Sequence, residues 1–135
     1  MVSKSNDHRT LLAGIKLSMY TAFVGGVLTP LLETIRRWHQ IPDLHYFINW
    51  FDDYLIGGFL FFAAWKTFKS PANGVRYLIA AWGFAAGMAF YSFFGQLQAL
   101  DQPDPAPVST VTVVIIKGVM FLVSLVSLIL SFKKY

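Results

Sequence analysis

The sequence predicts an all-α integral membrane protein whose four transmembrane helices form an up-down bundle with both termini in the cytoplasm. Of the 135 residues, 56% are hydrophobic and 13% are charged, which is about half the charged fraction of a typical soluble domain. The stretch from Tyr77 to Leu100 contains no charged residue, and about 20 such residues cross a bilayer as a helix. The long apolar stretches exclude a soluble enzyme and a disordered tail, and the absence of cysteine excludes a disulfide-stapled domain and a zinc-finger module.

Four apolar segments account for the predicted helices, in one domain that covers residues 1–135. Each has close to the length that crosses roughly 30 Å of hydrocarbon at about 1.5 Å per residue. They cover about residues 11–32, 47–68, 75–97 and 111–132. Between the second and third, Ser70–Gly74 predicts a tight turn in which Asn73 and Gly74 tolerate positive φ. Before the fourth, the three prolines of Asp101–Pro107 predict a stiff loop.

Basic residues predict the orientation of the helices, because cytoplasmic loops carry an excess of Lys and Arg. The loop from Asp101 to Pro107 has none, whereas both termini and the short turn are basic. The residues on the basic side are Lys4, Arg9, Lys66, Lys69, Arg76, Lys133 and Lys134. Arg36 and Arg37 lie on the opposite side but are outnumbered, and Glu33 is placed to form a local ion pair with them. The predicted location is a cell membrane, most simply a bacterial inner membrane.

Polar residues of three predicted helices lie at one depth. In each of the last three helices, a polar residue stands sixteen residues from a basic residue at the cytoplasmic end. These polar residues are Asp53, Ser92 and Lys117, and the same count from Arg9 reaches Gly25. Charges in a membrane are costly, so we expect Asp53 or its neighbour Asp52 to pair with Lys117 near the outer leaflet. Adjacent helical residues point about 100° apart, and we expect Asp53 to face the interior.

The predicted binding residues are this pair and its polar neighbours. They are Asn49, Asp53, Ser92, Gln96 and Lys117. Two other interpretations stay open: acidic residues at the start of the second helix could offset its dipole, and Lys117 could extend outward along apolar surface. Glu33 could also supply a second acid above the Asp53 layer.

Small and polar residues recur at helical spacing on the first and last helices. Such faces normally pack against other helices, because small side chains permit close approach of the backbones. The first helix carries Gly14, Ser18, Thr21, Gly25 and Thr29, and the fourth carries Ser124, Ser127 and Ser131 in line with Lys117. We therefore expect these two stripes to turn inward.

Metal, cofactor and nucleic-acid sites are weakly supported. His39, Asp43 and His45 are candidate zinc ligands, but a segment that contains Pro42 imposes no ligand geometry. No cofactor is predicted, since haem would need histidines on facing helices. The basic residues serve topology, so nucleic acid is not a predicted partner. The predicted partners are the lipid bilayer, a small-molecule or lipophilic ligand and further copies of the chain in a homo-oligomer.

Three functions fit this pattern, and a four-helix architecture does not choose among them. The first is binding or transport of a small molecule, with proton-coupled transport included. The second is a membrane-embedded isomerase or hydrolase that acts on a lipophilic substrate. In that enzyme the catalytic residues would be Asp52 or Asp53 as the acid or base, with Lys117 or Tyr91 stabilising charge. The third is an accessory subunit whose polar layer fixes the register of its helices.

Overall fold

The computed structural model describes residues 2–103 and 108–132, with side chains from residue 13 onward. This part of the chain is all-α, as predicted. Its elements are α1 (Val2–Arg37), a turn of 3-10 helix (Leu44–Tyr46), α2 (Phe47–Lys69), α3 (Pro71–Gln98) and α4 (Thr110–Phe132). Three of these are long and apolar enough to cross a membrane: α1 from residue 13 onward, α3 and α4. The helix α2 is as long as α4, but its first two turns contain Asn49, Asp52 and Asp53.

Neighbouring helices run antiparallel. Along α1 and α2, the hydroxyls of Thr34 and Tyr54 are hydrogen-bonded, and the rings of Phe23 and Phe61 lie 5.3 Å apart farther along. The same reversed order holds for the other pairs. These contacts join Thr67 to Gly74 and Phe59 to Phe84 (α2 and α3), Phe90 to Phe121 and Gln96 to Lys117 (α3 and α4), and Gly14 to Leu130 (α1 and α4). The fourth helix therefore returns beside the first and closes the bundle.

The two ends of the bundle differ in chemistry. At the end where α2 meets α3, which we call the serine end, Ser18 of α1 and Ser131 of α4 are fully buried, with hydroxyls 2.7 Å apart. Both hydroxyls reach the carbonyl oxygen of Ser127, at 3.0 and 2.8 Å. The indole Nε1 of Trp82 donates to the carbonyl of Ser18. The prediction that these small residues face other helices is confirmed.

The connection at the serine end is shorter than the sequence predicts. Pro71 takes the first position of α3, where its missing N–H is not needed, so only Ser70 separates the two helices. Asn73 and Gly74 are helical, and no residue in the described ranges has a positive φ. The predicted turn with positive φ is therefore wrong. Gly74 is needed for close packing, because a Cβ there would overlap the Cα of Thr67.

At the opposite end, α1 continues five residues beyond its predicted limit and reaches Arg37. Pro30 lies inside the helix and cannot donate a hydrogen bond to the carbonyl of Gly26. That carbonyl lies against Gly57 of α2, where a Cβ would come within 2.8 Å of it and within 2.6 Å of Pro30 Cδ. The helix continues past Pro30, and α1 and α2 are in close contact at these glycines. As a result, Glu33 and the two arginines are held on a regular helix.

Candidate functional site

Six ionisable side chains lie together at the end opposite the serine end. We call this set the charged cluster and its location the charged end. Three helices supply the cluster, and its acids and bases are equal in number. The members are Glu33, Arg36 and Arg37 of α1, Asp52 and Asp53 of α2, and Lys117 of α4, and they interact electrostatically with one another. A balanced set of charges limits the cost of placing them in a partly buried position.

Glu33 is the most deeply buried residue of the charged cluster. Its side chain is 6% exposed, and one carboxylate oxygen lies 3.2 Å from Nη1 of Arg36. The other oxygen is in contact with Nε of Arg37. The i+3 and i+4 spacing brings both guanidinium groups over the carboxylate, so the predicted local ion pair is confirmed. Both arginine side chains are less than one-fifth exposed, which makes this a largely buried arrangement.

Asp52 and Asp53 are half-buried beside Glu33. The side chains of Asp52 and Asp53 interact electrostatically with that of Glu33, and Asp52 also interacts with Arg37. A carboxylate oxygen of Asp52 also accepts the backbone N–H of Asp53 at 3.0 Å. Three carboxyl groups from two helices are therefore within electrostatic range of one another at this end of the bundle.

Lys117 approaches the carboxyl groups from α4. Its half-buried ammonium donates to the side-chain oxygen of Gln96 on α3, at 3.2 Å, and interacts electrostatically with Asp53 and Glu33. For this pair of described residues, Asp53 and Lys117, no direct ion pair is formed. The structure thus brings Asp53, Gln96 and Lys117 to one end of the bundle and leaves the carboxylate and the ammonium separate.

The remaining predicted residues lie around or outside the charged cluster. Ser92 is half-buried one helical turn from Gln96, and Asn49 is exposed. Tyr91 is 77% exposed on the outer surface of α3. The histidines and acid proposed as weak metal ligands, namely His39, Asp43 and His45, are exposed on the α1–α2 connection.

Asp43 has a structural contact instead. Its carboxylate accepts the backbone N–H of His45 at 2.9 Å and caps the 3-10 turn. Over residues 13–103 and 108–132, whose side chains are described, no group of three or more His, Asp or Glu side chains is arranged to hold a metal ion.

Trp50 presents an unsatisfied donor at the charged end. Among the described residues, three buried polar atoms lack a hydrogen bond: Oε1 of Glu33, Nε of Arg37 and Nε1 of Trp50. The first two atoms contact each other as an ion pair. The indole N–H of Trp50 therefore remains without an acceptor, although its ring packs against Phe47 and Tyr54. Buried donors without partners are rare and costly.

The sequence predicted a local ion pair for Glu33 and left open a second acid above the Asp53 layer, whereas the depth count assigned Gly25 to that layer. Gly25 instead packs near Leu60 and Trp82, in the middle of the bundle. The residue of α1 beside Asp53 is Glu33. One signal was available: Arg36 and Arg37 follow Glu33 at the i+3 and i+4 spacing of helical ion pairs, which indicates that the helix continues beyond Pro30. No signal in the sequence identified the unsatisfied donor of Trp50.

No family model, curated protein or solved structure matches this chain. Its chemistry must therefore be argued from the charged cluster. Carboxylates and an ammonium group at close range can bind ligand groups of either sign, and partial burial strengthens each such contact relative to bulk water.

Proposed function

We propose that the protein is a four-span protein of the cell membrane that binds a small charged or polar molecule in the charged cluster. The charged end faces the extracytoplasmic side, and both termini lie in the cytoplasm. This orientation is supported by Lys66, Lys69 and Arg76, which flank the α2–α3 connection at the serine end. The other residues used for it, namely Lys4, Arg9, Lys133 and Lys134, lie outside the described side chains.

The observation that carries the proposal is the separation of Asp53 from Lys117. Both groups are half-buried in one cluster, yet the ammonium is hydrogen-bonded to the neutral Gln96 and not to the carboxylate. A ligand that carries a cationic group for Asp53 and an acceptor for Lys117 would satisfy both. The free indole N–H of Trp50 adds a second donor at the same end.

Transport would extend the same proposal. The serine end is packed through Ser18, Ser127 and Ser131, which satisfy one another's hydrogen bonds. A molecule bound in the charged cluster would therefore need a second conformation, or a path between copies in an oligomer, to cross. Binding is thus the first property to measure.

A thermal-shift screen of purified protein in detergent tests the binding proposal. The probes are amino acids, polyamines, dicarboxylates and the chlorides of mono- and divalent cations. A ligand present at a hundred times its Kd stabilises the folded state by about 2.7 kcal/mol, and we expect Asp53→Asn to abolish the shift. The matched control is Asp43→Asn in the exposed connection, which should keep it. If no probe stabilises the protein, or if Asp53→Asn responds like the wild type, the proposal is wrong.

Single-cysteine labelling tests the orientation, since the chain has no native cysteine. Asn73→Cys and Gln102→Cys place exposed thiols at opposite ends of the bundle. A membrane-impermeant maleimide should label Gln102→Cys in intact cells and should label Asn73→Cys only after lysis. The reverse pattern would invert the proposed topology.

The accessory-subunit hypothesis has one observation in its favour. Glu33 is satisfied within its own helix by Arg36 and Arg37, as expected for a cluster that only fixes helix positions. That function predicts co-purification with a larger membrane partner. It also predicts that the double replacement of Asp53 by Asn and Lys117 by Met leaves the complex intact.

A further inference from the structure

A groove lies on the surface of the α1–α2 pair. This groove of about 410 Å³ is bordered by Gly26 and Pro30 of α1 and runs along one face of α2 from Tyr54 to Trp65. This volume is within the range of about 300–1,000 Å³ that is typical of small-ligand pockets. Glycines keep the groove open: a Cβ at Gly58 would meet no atom within 4 Å.

The walls of the groove are aromatic and the groove is elongated. Phe61, Phe62 and Trp65 line it, and each is more than two-fifths exposed in the isolated chain. From residue 54 to residue 65 the helix rises about 16 Å. One leaflet of a bilayer contributes about 15 Å of hydrocarbon, which is half of the total thickness. The groove therefore has the polarity and length of a single acyl chain in one leaflet.

Cationic groups gather at one end of the groove. The ammonium of Lys69 lies 4.4 Å from the ring centre of Trp65, and that of Lys66 lies 5.6 Å from it. Neither lysine forms an ion pair in the described part of the chain. Arg76 of α3 lies nearby, because its guanidinium stacks on Tyr77 and that ring contacts Phe62. This end therefore attracts a negatively charged group.

No charged side chain lines the other end of the groove, among the residues that border it, and the acids and bases of the nearby charged cluster balance one another. Tyr54 is the polar residue there, and its hydroxyl is already hydrogen-bonded to Thr34. An amphipathic molecule would thus place its anionic part at Lys66 and Lys69 and its apolar part toward Tyr54. Basic residues at a membrane surface attract anionic lipids in this way.

We propose that this groove binds one acyl chain of an anionic phospholipid, whose phosphate contacts Lys66 and Lys69. The site is separate from the charged cluster and does not require a ligand there. Assignment of the lipid to the cytoplasmic leaflet does rest on the proposed orientation. The binding itself is tested on purified protein without reference to topology.

Native mass spectrometry of the detergent-purified full chain, titrated with dioleoylphosphatidylglycerol or dioleoylphosphatidylcholine, tests this site. Two ammonium groups should make the anionic lipid bind on the order of tenfold more tightly than the zwitterionic lipid. The double variant Lys66→Gln/Lys69→Gln should lose this preference and still bind phosphatidylcholine. Lys16→Gln, an exposed lysine of α1, is the matched control and should keep the preference.

The chain-binding part of the groove has its own variant. Gly58→Leu fills open space in the groove and should weaken the binding of both lipids by about fivefold or more, because the chain loses its apolar contacts. Gly83→Leu on α3 also projects into open space, but away from the groove, and should leave binding unchanged. Equal effects of the two leucine variants would overturn the proposal.

Two further measurements use the unmodified protein. Phosphatidylglycerol with brominated chains should quench more tryptophan emission than brominated phosphatidylcholine at the same concentration, since Trp65 lines the groove. Equal quenching would contradict the proposal, as would full competition by glycerol phosphate, which has no chain.

A dimer that Gly58→Leu dissociates would assign the groove to a second copy and would also overturn the proposal.

Discussion

The two ends of the bundle place polar groups between helices in opposite ways. At the serine end, hydroxyls bond to a nearby carbonyl and leave little unsatisfied, so the helices approach closely. At the charged end, six ionisable groups share a partly buried space, and the buried indole N–H of Trp50 finds no acceptor in the part of the chain that the structure describes. Stable packing needs only the first arrangement. The second has a cost that a bound ligand would reduce, so function is expected at the charged end.

Glu33→Gln should give the largest loss of stability. The substitution leaves Arg36 and Arg37 largely buried without their carboxylate. Removal of one partner from a buried ion pair costs about 3 kcal/mol or more. Thermal or denaturant unfolding in detergent measures the loss. The double variant Glu33→Gln/Arg37→Gln should recover part of the lost stability. If Glu33→Gln causes no loss, the charged end is as tolerant of substitution as the exposed connection.

The fold was predictable because long apolar segments and turn-forming residues constrain it locally. Each predicted apolar segment lies within one helix and the bounds of α2 and α4 agree closely, whereas α1 begins at Val2 instead of residue 11. The boundaries that moved, at Pro30 and at Pro71, depend on tertiary contacts. Pro30 lies inside α1 where Gly57 packs against it, and Gly74 is helical where it packs against Thr67. Neither contact can be read from one helix alone.

The candidate site was predictable only in part, for a related reason. A count along each helix found Asp53, Ser92 and Lys117, because straight helices of equal rise keep equal depth, and Gln96 was predicted as a binding residue beside them. The count failed for α1, since this helix extends farther and places Glu33 beside Asp53. Whether Asp53 and Lys117 form a direct ion pair depends on side-chain geometry, which a count does not contain.

Ser18→Ala sharpens the comparison from the serine end. The variant removes a hydroxyl that bonds across to α4, and such hydrogen bonds between membrane helices contribute about 0.6 kcal/mol on average and up to roughly 1.7. We expect a loss near 1 kcal/mol in the free energy of unfolding. Thr21→Ala is the matched control, because Thr21 bonds only to Leu17 of its own helix. A larger loss for Thr21→Ala would mean that the contact between α1 and α4 is not what stabilises this end.

The smallest expected effect is that of Trp50→Phe, which compares the two ends of the bundle through a tryptophan at each. Trp82 is 2% exposed and donates its indole N–H to the carbonyl of Ser18, whereas the indole N–H of Trp50 has no acceptor among the described residues. Trp82→Phe loses both packing and a hydrogen bond, at a cost of about 1–3 kcal/mol. In Trp50→Phe the lost packing is offset by removal of a buried unsatisfied donor, so unfolding should change by less than about 1 kcal/mol. Equal losses of unfolding free energy for the two variants would show that the donor of Trp50 is satisfied in solution. A ligand-induced thermal shift that survives Trp50→Phe would remove this residue from the proposed site.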